Sequence, residues 1–416
     1  MTSTDPTATT IDYTASAGVH AASPTAAPAE VSATTTTSSM PVAPRRSSTL
    51  LALGIVGIII LSAIMLFVVV YLIAGLGVDA FALGGIMALI PLAIVFFGVR
   101  WSDKWEPEPR VAVVFAFLWG AGLSVLIALI VGAEIDNVVN SMGGPGPGYE
   151  FFGAAVQAPI VEETGKGLGL LILFWAARRH FDGPVDGIVY AAWIAGGFAF
   201  TENILYFGSQ LVEVGGIDAS VVQIFLIRGI MSPFAHVMFT AFIGIALGMA
   251  ARRTGALGAV GYFLLGLIPA VLLHAFWNGA LFFVSDFYGY YLLIQVPLFA
   301  GAVALVVFLR RQESKLTHDR LSEYAAVGWF NPEEVNVLAT PQGRRQAIAW
   351  ARARGKGREM KQYIHNATKL AFARQRIITG RARATASADE AVLLGAVVDA
   401  RRLLAPAPAS SAPQSS

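Results

Sequence analysis

Four segments of this sequence place polar and ionisable side chains inside otherwise apolar stretches. The segments are "PIVEETGKGL", "GFAFTENILYF", "LIRGIMSPFAHVMFTA" and "LLHAFWNGAL". The side chains concerned are Glu162, Glu163, Lys166, Glu202, Asn203, Arg228, His236, His274 and Asn278. Carboxylates and imidazoles together can activate water, either as general bases or as ligands of a metal ion. Residue type alone therefore predicts a hydrolytic site or an ion-handling site.

The spacing within two segments predicts which side chains share a helix face. Glu162 and Lys166 are four residues apart and Glu163 and Lys166 are three apart, so in a helix Lys166 can neutralise one of the two carboxylates. His274 and Asn278 are also four residues apart and point the same way. One glutamate is thus paired within its own helix, and the other remains for chemistry.

The elements that carry these residues are predicted to be membrane-spanning helices. Of the 416 residues, 56% are hydrophobic and only 13% are charged, which is unusual for a soluble globular chain. Apolar runs of about 20 residues, the length that crosses a bilayer, recur along the chain. The predicted fold is an all-α polytopic bundle of eight spans, at roughly 49–77, 79–99, 111–133, 151–177, 185–208, 221–250, 257–284 and 290–309.

The charges between the predicted spans indicate the orientation of the bundle. The loops "EIDNVVNSMGGPGPGYE" and "FGSQLVEVGGIDAS" contain acidic residues but no lysine or arginine. The alternate connections carry the basic residues Arg45, Arg46, Arg100, Lys104, Arg110, Arg178, Arg179, Arg252, Arg253, Arg310 and Arg311. Because basic loops stay on the cytoplasmic side, this pattern predicts that both termini are cytoplasmic.

Composition divides the chain into four regions. Residues 1–48 are rich in Ser, Thr, Ala and Pro and are predicted to be disordered, as is the tail 405–416. Residues 49–309 form the membrane region, and 310–404 are predicted to form a basic, helical, cytoplasmic region. Its basic face either contacts anionic lipid headgroups or is simply solvated, and we favour the second interpretation. The chain has no cysteine, so thiol catalysis and thiolate-bound metals are excluded.

An ionisable side chain at membrane depth costs at least about 2.5–3.5 kcal/mol and therefore suggests a function. Counting residues along the alternating spans places Glu162, Glu202, His236 and His274 at similar depths, which predicts one shared site among spans four to seven. The sequence has no His-Glu-x-x-His metal helix. Water activation by a carboxylate and water activation by a metal ion both remain open. A transporter or scaffold that uses the same buried carboxylates is the alternative function.

The segments "EETGK", "DGPVDGIVYAAWIAGGFAFTENI", "RGIMSPFAHVMFTA" and "HAFWNG" resemble the PrsW family of intramembrane proteases. That family is related to the CAAX prenyl proteases and to bacteriocin-processing membrane proteins. The resemblance covers residues of about 85–305. Glu162 and Glu163 match the glutamate pair of the wider superfamily, and Lys166 stands one position before its usual basic residue. Glu202 stands where the prenyl-processing branch has histidine, which weakens an assignment to that branch.

The resemblance implies an intramembrane endopeptidase of the plasma membrane that cuts a single-span membrane protein such as an anti-sigma factor. Its partners would be that substrate and the lipid bilayer, with no nucleic acid. The family's metalloprotease designation implies Zn²⁺, and a metal-free glutamate mechanism is the alternative. The implied catalytic residues are Glu162, Glu163, Glu202, His236, His274 and Asn278, with Lys166, Asn203 and Arg228 in support and His236, His274 and Glu163 as metal ligands.

Overall fold

The computed structural model describes residues 48–102, 108–178, 181–255, 257–380 and 383–405. All regular secondary structure in these residues is helical, which confirms the predicted all-α fold. The described chain divides into two compact units, one up to Arg310 and one from Arg311 onward. Most of the predicted disordered tails, 1–48 and 405–416, lies outside the described residues.

The first unit contains long helices with four π-helical turns between or within them. The α-helices are α1 (Ser48–Leu76), α2 (Val78–Ser102), α3 (Arg110–Leu118), α4 (Val125–Ser141), α5 (Tyr149–Phe152), α6 (Ala158–Ala176), α7 (Pro184–Val214), α8 (Ala219–Ile224), α9 (Ala235–Arg253), α10 (Gly258–Ala280), α11 (Phe287–Tyr290) and α12 (Val296–Ala326). The π-helical turns are π1 (Trp119–Ser124), π2 (Gly153–Gln157), π3 (Phe225–Met231) and π4 (Tyr291–Gln295).

Seven helices in the described part of the chain are long and apolar enough to cross a membrane. They are Ala52–Leu76, Val78–Trp101, Arg110–Ser141, Pro184–Val214, Ala219–Arg253, Gly258–Ala280 and Phe287–Ala326. These seven correspond to seven of the eight predicted spans. The predicted fourth span, 151–177, is a continuous helix made of α5, π2 and α6, but it is not among the seven. The reason is that Glu162, Glu163 and Lys166 make it too polar to qualify by composition.

Helix α7 lies at the centre of the unit and packs against its neighbours through glycines. A methyl group on Gly187 of α7 would lie 2.0 Å from the carbonyl oxygen of Gly244 on α9. A methyl group on Gly120 of π1 would lie 1.8 Å from the carbonyl oxygen of Ile194 on α7. Small residues allow such close backbone approach between membrane helices. The glycines therefore bring π1, α7 and α9 together.

The carboxylate of Asp186 caps the start of α7. Asp186 Oδ2 accepts the backbone N–H groups of Asp182, at 2.7 Å, and Gly183, at 3.0 Å. These bonds satisfy backbone donors at the helix start. Pro184, in the first turn, has no backbone N–H group that would need an acceptor. Asp186 thus fixes the point at which α7 begins.

The chain between π3 and α9 is interrupted at Ser232–Phe234, one turn before His236. An interruption within a membrane leaves carbonyl groups that need donors. Ser232 Oγ donates to the carbonyl of Ile227 at 2.8 Å, and the Tyr291 hydroxyl donates to the carbonyl of Met231 at 3.1 Å. The break is therefore stabilised locally, and it separates Arg228 from His236.

The second unit is a smaller helical bundle with a core of its own. It contains the part of α12 after Arg310, together with α13 (Pro332–Ala339), α14 (Pro341–Arg352), α15 (Gly357–Ile378) and α16 (Arg383–Leu404). Asn331 caps α13 by accepting the N–H of Glu334 at 2.6 Å, and Glu334 lies three residues later, as in a capping box. Its core includes Leu321, Tyr363 and Leu370, each almost fully buried.

Candidate active site

Five elements, α6, α7, π3, α9 and α10, bring the predicted polar residues into contact. Helix α6 carries Glu162, Glu163 and Lys166, and these face α9 and α10, which carry the two histidines. The pairs joined by hydrogen bonds or close contacts involve Glu162, Glu163, Lys166, Glu202, Asn203, Arg228, His236 and His274. The predicted shared site therefore forms, as a single buried cluster.

Glu163 is completely buried, and both oxygens of its carboxylate have hydrogen-bond partners. Its Oε1 accepts from Lys166 Nζ at 2.7 Å and lies 3.1 Å from His274 Nδ1, while its Oε2 accepts from the Thr240 hydroxyl at 2.8 Å. A carboxylate accepts and does not donate, so His274 donates from Nδ1, and in the neutral tautomer of this ring Nε2 is an acceptor. Glu163 thus orients both His274 and Lys166.

The carboxylate of Glu162 makes fewer and longer polar contacts than that of Glu163. Its Oε2 lies 3.4 Å from Lys166 Nζ, which is the long end of a hydrogen bond, and 4.0 Å from both His274 Nε2 and His236 Nδ1. Its side chain is 10% exposed, whereas that of Glu163 is not exposed at all. Glu162 is therefore the carboxylate of the pair that can receive another molecule.

Lys166 Nζ lies between both glutamates and His236, 3.1 Å from His236 Nδ1. An ammonium group donates only, so Nδ1 of His236 is the acceptor and its Nε2 carries the proton. That Nε2 lies 2.8 Å from Glu202 Oε2. His236 is therefore a neutral imidazole fixed between a cation on α6 and a carboxylate on α7.

Arg228 holds the outer part of the cluster. Its Nη2 donates to Glu202 Oε2 at 2.8 Å, and its Nε donates to Asn203 Oδ1 at 3.2 Å. Its guanidinium also lies 3.8 Å from the ring centre of Tyr206. Arg228 thus ties Glu202 and Asn203 together, and the supporting roles of Arg228 and Asn203 stay a prediction.

Aromatic rings line the cluster. Phe239 stacks on His274 with 4.7 Å between ring centres and 21° between ring planes. Phe198 lies 4.1 Å from the Lys166 ammonium and 5.4 Å from the His236 ring. These rings limit the rotation of both imidazoles and exclude water from the buried side of the site.

Asn278, a catalytic residue by the family resemblance, lies one turn after His274 and contacts a neighbouring helix. Its Nδ2 donates to the carbonyl of Ala154 in π2, at 3.0 Å. This bond joins α10 to the π-helical turn that precedes the glutamates. In this structure Asn278 therefore positions helices.

Thr240 is a site residue that the sequence analysis missed. A threonine in an apolar helix gives little chemical signal, because its hydroxyl can bond to its own helix backbone. The available signal was its spacing, since it follows His236 by four residues and shares its face. Trp119 was also missed, because a tryptophan in an apolar helix gives no chemical signal. Its Nε1 donates to the carbonyl of Gly165 at 2.9 Å and so anchors π1 on the glutamate segment.

Three residues of the cluster could together hold a metal ion. One ligand atom each from Glu162, His236 and His274 lies within 4.8 Å of the others. One carboxylate with two imidazoles is a ligand set that zinc hydrolases use. The family resemblance implied Glu163 as the carboxylate ligand, but the structure places Glu162 in this group, because Glu163 faces Thr240, Lys166 and Nδ1 of His274.

The position of Lys166 does not fit a divalent ion in this group. Its Nζ is 3.1 Å from His236 Nδ1 and 3.4 Å from Glu162 Oε2, and those two atoms are 4.0 Å apart. An ion at zinc's usual distance of about 2.0–2.2 Å from both atoms would lie roughly 3.5 Å or less from the ammonium nitrogen. Like charges at that separation in a buried site repel strongly. The ligand set suits zinc only if Lys166 moves or loses its charge.

Comparison with known proteins gives related sequences but no solved structure that matches. Protease PrsW of Clostridioides difficile (strain 630) is 33% identical over 162 residues, which are 38% of this chain and 62% of that protein. Protease PrsW of Bacillus subtilis (strain 168) is 28% identical over 47% of this chain and 82% of that protein. Protease PrsW of Shouchella clausii (strain KSM-K16) is 28% identical over 55% of this chain and 96% of that protein.

The family model described as PrsW family intramembrane metalloprotease matches residues 108–302. This range contains every residue of the buried cluster and ends within α12. The second unit lies outside it. Over residues 108–302, this multi-pass membrane protein is similar to the PrsW family of intramembrane proteases.

Proposed function

We propose that the chain is an intramembrane endopeptidase in which Glu162 is the general base for a water molecule. The supporting observation is the 4.0 Å distance between Glu162 Oε2 and His274 Nε2. Each of these atoms has a lone pair that can accept a further hydrogen bond. A water molecule between them can donate one hydrogen to each atom. Its oxygen lone pair is then free to attack a carbonyl carbon.

The reaction follows from the protonation states of these groups. Glu162 takes a proton from the water molecule while the water oxygen bonds to the carbonyl carbon of the scissile peptide. Glu162 then gives this proton to the amide nitrogen as the carbon–nitrogen bond breaks, so that a carboxylic acid and an amine result. Glu163 keeps His274 Nδ1 protonated, which keeps Nε2 available as the second acceptor. No step requires a metal ion, and the zinc that the family name implies would need Lys166 displaced.

The substrate that suits such a site is a single-span membrane protein, such as an anti-sigma factor. A peptide bond within a membrane helix is protected by helical hydrogen bonds and by lipid, so the site must receive an unwound segment. The basic residues of alternate loops support cytoplasmic termini, and the family resemblance supports a plasma-membrane location for the enzyme. The more exposed end of the cluster is at Arg228, whose side chain is 25% exposed.

The test is co-expression with a panel of single-span membrane proteins tagged at both ends, followed by immunoblotting for shortened fragments. Loss of a general base reduces the rate by about 100-fold or more, so E162Q should show no fragment at equal expression. H274A should also lose cleavage. E134Q, which changes an exposed glutamate of α4, is the control and should cleave normally. Normal cleavage by E162Q would contradict the proposed mechanism.

A further inference from the structure

Lys166 is an uncommon group for the centre of a membrane protein, because its side chain is not exposed at all. Its three N–H donors meet three acceptors, which are Glu163 Oε1 at 2.7 Å, His236 Nδ1 at 3.1 Å and Glu162 Oε2 at 3.4 Å. The ring of Phe198 covers it at 4.1 Å. A buried charge is tolerated when it is paired and its donors are satisfied. Lys166 meets both conditions, so the ammonium is held firmly in place.

Two of the three acceptors of Lys166 are also the atoms that a metal ion would need. Glu162 Oε2 and His236 Nδ1 belong to residues of the group that could hold an ion, and both contact the ammonium. The remaining member, His274, is bonded through Nδ1 to Glu163, which is the closest partner of Lys166. A cation from the chain itself and a divalent ion thus compete for one set of acceptors.

We propose that Lys166 is the resident cation of this site and that it excludes divalent metal ions from the Glu162–His236–His274 group. The proposal rests on the function proposed above and specifies its chemistry. With Lys166 in place, Glu162 is a base and not a ligand. The ammonium supplies the positive charge that holds two adjacent carboxylates together in the membrane. Removing the ammonium converts the same three residues into a site for zinc.

The test measures zinc retained by the full-length protein in detergent or nanodiscs. Wild type, K166M and the control K361M, which changes an exposed lysine of α15, are dialysed against zinc and analysed for metal per protein. Wild type and K361M should retain sub-stoichiometric zinc. K166M should bind one zinc with an affinity at least about 100-fold higher, because a positive charge beside the ion has been removed. Adding H274A to K166M should abolish this zinc.

K166M leaves two carboxylates without their cation and could fail to fold. The variant K166M/E163Q removes one negative charge with the lysine and keeps Glu162, His236 and His274. The amide oxygen that E163Q introduces can still accept from His274 Nδ1. If this variant elutes as a single species, it should bind one zinc, and cobalt(II) in its place should give the visible spectrum of a tetrahedral site.

Two results would overturn the proposal. One is a wild-type protein that retains one zinc and loses it in E162Q or H274A. The other is a folded K166M or K166M/E163Q that binds no more zinc than wild type. Zinc retention needs no substrate, so failure of the cleavage assay leaves this result intact. Equally, a negative zinc result leaves the cleavage test of Glu162 unchanged.

Discussion

Glu162 and Glu163 are chemically identical neighbours with different surroundings. Consecutive residues of a helix point about 100° apart, so one faces the gap between the two histidines and the other faces Thr240. Glu163 is bonded through both oxygens, and its contacts fix other side chains. The proposed roles, a reacting Glu162 and a positioning Glu163, follow from this rotation.

Thr240 should act as a positioning residue through Glu163. In T240V, the Oε2 of Glu163 loses its donor while remaining buried, and leaving such a charged group unsatisfied costs about 1.5–3 kcal/mol. We expect a roughly tenfold or larger fall in cleavage rate, since about 1.4 kcal/mol corresponds to a factor of ten. T240S keeps the hydroxyl and should restore most of the rate. The measurement is initial cleavage rate at matched protein levels.

A purely structural role for Thr240 is tested with a second buried threonine. Thr201 is similarly buried and donates to the carbonyl of Ala121 at 2.8 Å, so T201V removes one hydrogen bond of similar burial without touching Glu163. If T240V and T201V lower the rate equally, Thr240 does not act through Glu163.

At the scale of elements, glycine contacts fix the rotation of each helix and thereby decide which side chains meet. Gly187 and Gly244 bring the backbones of α7 and α9 together, and Gly197 packs against the carbonyl of Phe117. Because backbone atoms cannot give way as side chains do, each contact allows a single helix rotation. Glu202 and His236 meet at 2.8 Å on the faces that this packing selects.

Replacing Gly244 should disrupt α7–α9 packing. In G244A the new methyl group would lie 2.2 Å from the carbonyl oxygen of Gly187, so the helices must separate, and such overpacking costs about 1–3 kcal/mol or more. We expect a lower midpoint of thermal unfolding in detergent. G85A is the matched control, since a methyl group there has no atom within 4 Å, and it should unfold like wild type. Equal midpoints for both variants would show that the close contact is not limiting.

The sequence predicted elements better than contacts. Spacing within one helix correctly paired Lys166 with the glutamates, because helix geometry is local. The bond between Lys166 and His236 joins residues 70 positions apart and depends on the rotation of two helices, which hydrophobic runs do not encode. The same limit explains why Glu163 was assigned to the metal group in place of Glu162. The contact of Asn278 could not be predicted either, because its partner is the backbone carbonyl of Ala154, and the sequence does not indicate which backbone groups lie near a side chain.

At the scale of the whole molecule, the chain joins an apolar unit built around a buried polar site to a second helical unit with its own polar centre. In the second unit Glu334 accepts from Arg401 Nη2 at 2.9 Å and from the hydroxyl of Tyr363. Burial raises the pKa of Tyr363 well above its ordinary value, so Tyr363 stays protonated as a donor. The basic, helical composition of 310–404 predicted the helices, whereas this network needed the packing of α13, α15 and α16.

Arg401 should be essential to the stability of the second unit. In R401M the carboxylate of Glu334, whose side chain is 3% exposed, keeps its charge without its cation, and breaking a buried ion pair in this way costs about 3–5 kcal/mol. We expect faster amide hydrogen exchange in α13, α15 and α16 of the full-length protein, with α7 unchanged. The adjacent R402M removes an ion pair to Asp399 in which both side chains are largely exposed, so it should exchange like wild type. Equal exchange in the two variants would mean that Glu334 is held by Tyr363 and by its place at the start of α13, and not by the arginine.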